Sequence, residues 1–134
     1  MLNRRHLLAT GLAFSFLPAA GFAEIRDYTP GLAEAAMREG RKIVLIFGAD
    51  WCSTCRRQER IINELRAAEP RYDAELVLIR VDWDEYGNGE LSRGFSVPRR
   101  STLIALNGER ELARIVAGTR ESDIRTLFDR ALAG

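Results

Sequence analysis

Hydrophobic positions fall along this chain in two patterns. Ile43-Val44-Leu45-Ile46-Phe47 is continuously apolar and rich in β-branched residues, without the alternation of a strand that has one wet face. Such a run predicts a central strand covered on both sides. Residues 76–81 predict a second buried strand and residues 102–106 a third. Asn107-Gly108 then reads as a hairpin turn, with residues 112–116 pairing back antiparallel.

The other pattern has the helical period. Residues 53–68 place Ile61, Ile62 and Leu65 on one face, with Arg56, Arg57, Glu59 and Arg60 at polar positions. Residues 121–132 carry an inward stripe of Ile124, Leu127, Phe128, Ala131 and Leu132, entered through a turn at Gly118. Near the front, Thr29 reads as an N-cap with Pro30 at the first helical position. Leu32, Ala35 and Ala36 form the stripe, and Gly40 is the stop. A short helical piece is expected around residues 90–93, and residues 24–28 are the candidate for a short first strand. Strands alternating with helices predict an α/β fold.

Residues 1–23 stand outside this pattern. Arg4, Arg5 and His6 form a basic start, Leu7 to Leu17 is mostly apolar with no acidic residue, and the segment closes on small residues ending at Ala23. That is the layout of a cleaved export signal, which predicts a signal peptide over 1–23 and one domain over 24–134. Its apolar core is shorter than the roughly 20 residues a spanning helix needs. The Arg4-Arg5 pair resembles a twin-arginine signal, without the Ser or Thr before and the Phe after that such signals prefer. By the general secretory route or by this one, the expected location is the periplasm.

Composition changes the picture in two respects. With the leader removed, 18 basic residues face 19 acidic ones, a balance that asks for neither nucleic acid nor an anionic membrane. The remaining chain holds no histidine, and Met37 is its one methionine. The two cysteines would therefore need carboxylates or a second subunit to complete a zinc site, and a copper chaperone of the usual kind is disfavoured. No metal site and no cofactor is expected.

Those cysteines carry the chemistry. Cys52 and Cys55 lie three apart, after the central strand and at the start of a helix. Residues at that spacing share a helical face and sit close enough to close a disulfide. The helix N-terminus adds unpaired N–H groups and a partial positive charge that favour a thiolate. Cys52, at the exposed mouth of the helix, is expected to attack, and Cys55, one turn inside, to resolve the mixed disulfide. In an oxidising compartment such a pair rests as a disulfide unless an electron-donating or electron-accepting partner, membrane-bound partners included, turns it over.

The segment Phe47-Gly48-Ala49-Asp50-Trp51-Cys52-Ser53-Thr54-Cys55 resembles the active-site segment of the thioredoxin superfamily. The resemblance implies a thioredoxin-like fold, a central mixed sheet flanked by helices, and dithiol–disulfide exchange with protein thiols or disulfides. It also implies a loop facing the dithiol, in which a cis-proline followed by Thr offers backbone hydrogen bonds to substrate. Here Ser101 falls at the proline position if Phe95-Ser96-Val97 and Thr102-Leu103 are both kept in register; the alternative keeps Pro98 and lengthens the following segment. The Ser101 register leaves a strand of normal length, with a trans bond before it because a non-proline cis bond costs roughly 2.5–4 kcal/mol. Arg100, Ser101, Thr102 and Trp51 are the expected substrate-binding residues. Arg99 and Arg100 read equally as a solvated pair, and Trp51 as a wall of the site or as core.

Two further departures stand out. Ile46 occupies a position where many thioredoxins carry a buried Asp that moves the resolving thiol's proton, so that proton would have to use water, Asp50 or another carboxylate. Ser53-Thr54 replaces the usual Gly-Pro between the cysteines. Residues 41–55 resemble periplasmic members that accept electrons from membrane reductases. The expected function is thus thiol–disulfide exchange with a lean toward reductase. An oxidase or isomerase, a metal-binding module and a non-catalytic interaction domain are the rivals. Trp83 and Tyr86 read as a partner-binding loop or as aromatics packed over the core, and Asp82, Asp84 and Glu85 as solvated charge.

Overall fold

The computed structural model describes residues 24–134, and the expected leader lies outside them. In chain order the elements are β1 (Arg26–Asp27), α1 (Leu32–Arg38), β2 (Lys42–Gly48), α2 (Ser53–Ala68), α3 (Pro70–Glu75) and β3 (Val77–Asp82). They continue with α4 (Trp83–Tyr86), α5 (Glu90–Gly94), β4 (Thr102–Asn107), β5 (Arg110–Val116) and α6 (Glu121–Ala133). The strands form one sheet in the order β1-β3-β2-β4-β5. β1, β3 and β2 run parallel, while β4 is antiparallel to β2 and β5 to β4. This is the mixed sheet expected, with residues 24–28 supplying the short first strand.

The unbroken apolar run of β2 has a simple cause. Val44 and Ile46 point to one face, where they pack with Leu78, Leu103, Ala105, Ile62, Leu65, Tyr72 and the α6 stripe. Ile43, Leu45 and Phe47 point to the other face, toward Tyr28, Ala33, Ala36, Ile79, Val81, Ile104 and Leu91. Burying an aliphatic or aromatic side chain is worth about 1.5–3 kcal/mol, so a strand with two dry faces is held in register from both sides.

Several local expectations need correction. The α1 N-cap is Gly31, in the left-handed region at φ 96°, and Pro30 belongs to the turn before it. Glu34 fixes that turn by accepting from the Gly31 N–H at 3.0 Å and from the Tyr28 hydroxyl at 2.7 Å. The fully inward residues of α1 are Ala33 and Ala36, so Ala33 takes the place given to Ala35.

Two helical turns had no apolar periodicity to announce them. In α3, Glu69 caps by accepting from the Arg71 N–H and Pro70 sits at the first position. In α4, Asp82 caps by accepting from the Asp84 N–H. At the β5–α6 turn the left-handed residue is Ala117, at φ 59°, rather than Gly118. Gly118 is needed for another reason: a Cβ there would lie 2.8 Å from Ile115 Cγ2.

Candidate active site

β2 ends at Gly48, and Ala49-Asp50-Trp51 bring the chain to Cys52, which is the N-cap of α2. Its sulfur accepts from the Cys55 N–H at 3.2 Å, so it satisfies one of the orphan donors at the helix start. Cys52 and Cys55 are joined in a disulfide, with Cα atoms 5.2 Å apart. Both lie at the carboxyl end of the parallel strands, where open α/β sheets present their functional crevice.

Cys52 does not sit exposed as the sequence suggested. It is 4% exposed and Cys55 2%, and with Ala49 they form a small buried cluster against which Trp83 packs. The cause is a loop 49 residues beyond Cys52. Ser101 is fully buried, in the left-handed region at φ 63°, and its Oγ stands 3.2 Å from Cys52 Sγ and 3.0 Å from Cys55 Sγ. Sulfurs in a disulfide carry no proton, so in this state the hydroxyl is the donor.

The position facing the dithiol thus belongs to Ser101 and not to Pro98, which lies exposed in the preceding loop. There is no cis peptide bond among the described residues. The backbone of Ser101 is fully engaged. Its N–H donates to the Phe47 carbonyl at 2.7 Å, and its own carbonyl accepts from the Ala117 N–H at 2.8 Å and from Gln58 Nε2 at 3.0 Å. These groups stitch the loop to β2, α2 and the end of β5.

Trp51 is 58% exposed, which removes the core reading. Its indole N–H donates to the Asp84 carboxylate at 2.9 and 3.0 Å. The Arg100 guanidinium lies over its ring, 4.4 Å from the centroid. Arg100 is therefore no member of a solvated pair: it is partly buried, and its Nε has no hydrogen-bond partner among the described residues. Since Trp51 precedes Cys52 and Arg100 precedes Ser101, this contact clasps the two loops that flank the sulfurs. Thr102, also expected to bind substrate, follows Ser101 at the start of β4. It is buried, its hydroxyl donates to the Arg99 carbonyl at 2.7 Å, and it shapes the turn.

Three groups were missed. Gln58 is 1% exposed, and its amide bridges the Ser101 and Gly118 carbonyls at 3.0 and 2.9 Å. Its signal was a polar residue on the inward stripe that runs Cys55, Gln58, Ile62, Leu65. Arg80, a charge inside an apolar strand, donates to Glu59 at 2.9 Å and to Asp50 at 2.7 Å. Burial pushes the Arg80 guanidinium down, but hydrogen bonds to both carboxylates outweigh it and hold the group above its ordinary value. Asp84, read as solvated charge, is exposed and in addition fixes Trp51.

Gly48 borders both Cys55 and Glu59. A Cβ placed there would be 3.7 Å from Cys55 Sγ and 3.9 Å from Glu59 Oε1. Ile46 sits in the core on the α2 side, paired in register with Arg80, and offers Cys55 no acid–base group. Trp83 packs edge-to-face on Phe47, and Tyr86 does the same on Tyr28, so both serve the core. No group of three or more His, Cys, Asp or Glu side chains converges on a metal position among the described residues.

Comparison with known proteins agrees with this geometry. A family model described as thioredoxin-like matches residues 24–103. Thioredoxin H5 of Oryza sativa is 30% identical over 96 residues, covering 72% of this chain and 66% of that protein. Thioredoxin 2 of Plasmodium falciparum is 33% identical over 90 residues, covering 67% of this chain and 54% of that protein. The chain thus spans between about half and two thirds of the length of these two relatives. Among solved structures, Trxlp from Edwardsiella tarda superposes with a TM-score of 0.67 at 28% identity, covering 78% of this chain and 98% of that one. The order of its strands, the cysteine pair capping α2 and these matches together mean that the chain belongs to the thioredoxin-like family.

Proposed function

We propose that this protein is an exported thiol–disulfide oxidoreductase that exchanges a disulfide with protein thiols through Cys52 and Cys55, working as a reductase. The observation that carries the reading is the Cys52–Cys55 disulfide at the N-terminus of α2, with a second loop delivering a hydroxyl to both sulfurs. Cys52 is the attacking sulfur because the helix start and the Cys55 N–H stabilise its negative charge. Cys55, deeper by one helical turn, closes the disulfide and releases the substrate thiol.

The exposed face of Trp51 and the Arg100 guanidinium above it form the surface that a substrate meets first. Because Cys52 is almost covered, exchange requires the Trp51–Arg100 clasp to part as the substrate docks. Export rests on the basic, apolar and small-residue succession of residues 1–23. An oxidising compartment then requires a donor of electrons, and residues 41–55 resemble domains that receive them from membrane reductases.

The reduction potential tests the direction. A reductase is expected near the thioredoxin value of about −270 mV, and a value near about −120 mV would make the protein an oxidase. Export is tested by fractionation: expression in a bacterium should yield a protein shortened to begin near Glu24 outside the cytoplasm. Full-length protein retained inside would remove that part of the reading.

A further inference from the structure

The charged groups that surround Cys55 do not supply a route for its proton. Cys55 is 2% exposed, so water has little access to its sulfur. The β2 residue that lies against it is Gly48, which has no side chain, and the next residue back on that face is the hydrocarbon Ile46. The charged groups around the pair are engaged elsewhere. Glu59 of α2 and Asp50 are tied to Arg80 of β3. Arg56 donates to the Asp50 carbonyl, Asp84 of α4 holds the Trp51 indole, and Arg100 lies over that indole. Asp82, at the end of β3, caps α4. Among the described residues, the hydrogen-bond partners of the two sulfurs are the Cys55 N–H and the Ser101 hydroxyl.

We infer that the Ser101 hydroxyl is a proton relay between the two cysteines and the substrate sulfur. A serine hydroxyl donates one hydrogen bond and can accept two. Once the pair is reduced, Ser101 Oγ–H donates to the Cys52 thiolate while Oγ accepts from the Cys55 thiol. One atom thereby stabilises the attacking sulfur as an anion and keeps the resolving sulfur protonated until it is needed. The hydroxyl is held at this point by its own backbone, through Phe47, Ala117 and Gln58, and not by the sulfurs. Gln58 is accordingly a positioning residue that acts through Ser101.

The step balances as follows. The Cys52 thiolate attacks a protein disulfide, forming one mixed disulfide and releasing the first substrate sulfur as a thiolate that takes a proton from solvent. The Cys55 sulfur then attacks Cys52 Sγ. The new bond joins the two cysteines, the bond from Cys52 to the substrate breaks, and its electron pair leaves on the second substrate sulfur. As this happens the Cys55 proton passes to Ser101 Oγ, and the hydroxyl's own proton passes to the departing sulfur. The dithiol ends as a disulfide, the substrate as two thiols, and Ser101 unchanged.

This inference rests on the exchange reading above, and the experiment separates the two. Ser101→Ala removes the hydroxyl, and Ser101→Gly removes it while relieving the left-handed backbone, so loss of folding cannot account for the behaviour of both. For each reduced protein, thiolate absorbance is titrated against pH. The resolving step is then followed from a mixed disulfide formed with a chromogenic aromatic disulfide. Both variants should raise the pH at which Cys52 ionises by about one unit and slow resolution about tenfold, the loss of a charge-assisted hydrogen bond. If the natural protein exchanges and both variants titrate and resolve as it does, the relay is wrong and the exchange reading stands. Should the natural protein itself fail to exchange, the exchange reading falls and the relay with it.

Discussion

The two loops that meet at the disulfide are built in opposite ways. The Cys52 loop is local: strand, three residues and helix cap follow one another in sequence, and the Cys52 sulfur is fixed by an N–H three residues away. The Ser101 loop is assembled from a distance, by Phe47 and Gln58 more than forty residues earlier and Ala117 sixteen later. One supplies the reacting sulfurs and the other the hydroxyl between them. Chemistry of the first kind is written in adjacent residues, whereas chemistry of the second exists only after the sheet has formed.

The strongest way to break this comparison is to remove one sulfur at a time. Cys55→Ser should abolish turnover while leaving the first attack intact, so mixed disulfides accumulate on Cys52 and appear on non-reducing gels. Cys52→Ser should lose both steps. If Cys52→Ser still captured partners, the division of labour between the cysteines would be reversed.

Removing the distant support comes next in size. Gln58→Leu leaves the Ser101 carbonyl with one bond fewer and takes the amide from the Gly118 carbonyl. Leaving buried acceptors short should cost about 1–3 kcal/mol in a denaturant melt. It should also move the ionisation of Cys52 upward, because the hydroxyl is no longer held in place. A variant that is destabilised but titrates normally would make Gln58 structural only.

The clasp across the two loops is a smaller term. A cation over an exposed aromatic ring is worth about 0.5–1 kcal/mol, so Arg100→Ala should speed reduction of the native disulfide by a small thiol roughly two- to fivefold. An unchanged rate would mean that the clasp does not limit access. An effect of similar size lies at the far end of the Ser101 support. Ala117 is in the left-handed region, which glycine adopts without the Cβ penalty, and Ala117→Gly should raise stability by about 0.5–1 kcal/mol in the same melt.

The sheet was legible because its signal is periodic and redundant. The run from Ile43 to Phe47, the second and third apolar runs and the α6 stripe each name their burial pattern directly. The cysteine pair was legible because spacing, strand and helix coincide within a few residues. What sequence could not show is set by long-range contact. That Cys52 is covered depends on Ser101 and Trp83 arriving from elsewhere. Gln58 left one mark, a polar residue on an apolar stripe, and Arg80 another, a charge within an apolar strand. The short helices α3 and α4 rest on caps from Glu69 and Asp82, not on hydrophobic period, and Thr29-Pro30 was misread because Gly31 accepts the left-handed turn that neither can.

The claim on which the rest depends is that Cys52 reacts in the folded protein although almost none of it faces solvent. It is tested by treating the reduced native protein with limiting iodoacetamide from about pH 5 to 9 and mapping the modified cysteine by mass spectrometry, since reactivity follows the thiolate. The account predicts that Cys52 is alkylated first, with an ionisation below the ordinary thiol value of about 8.5, while Cys55 stays protected. Equal labelling of both cysteines, at a rate that follows global unfolding, would contradict it.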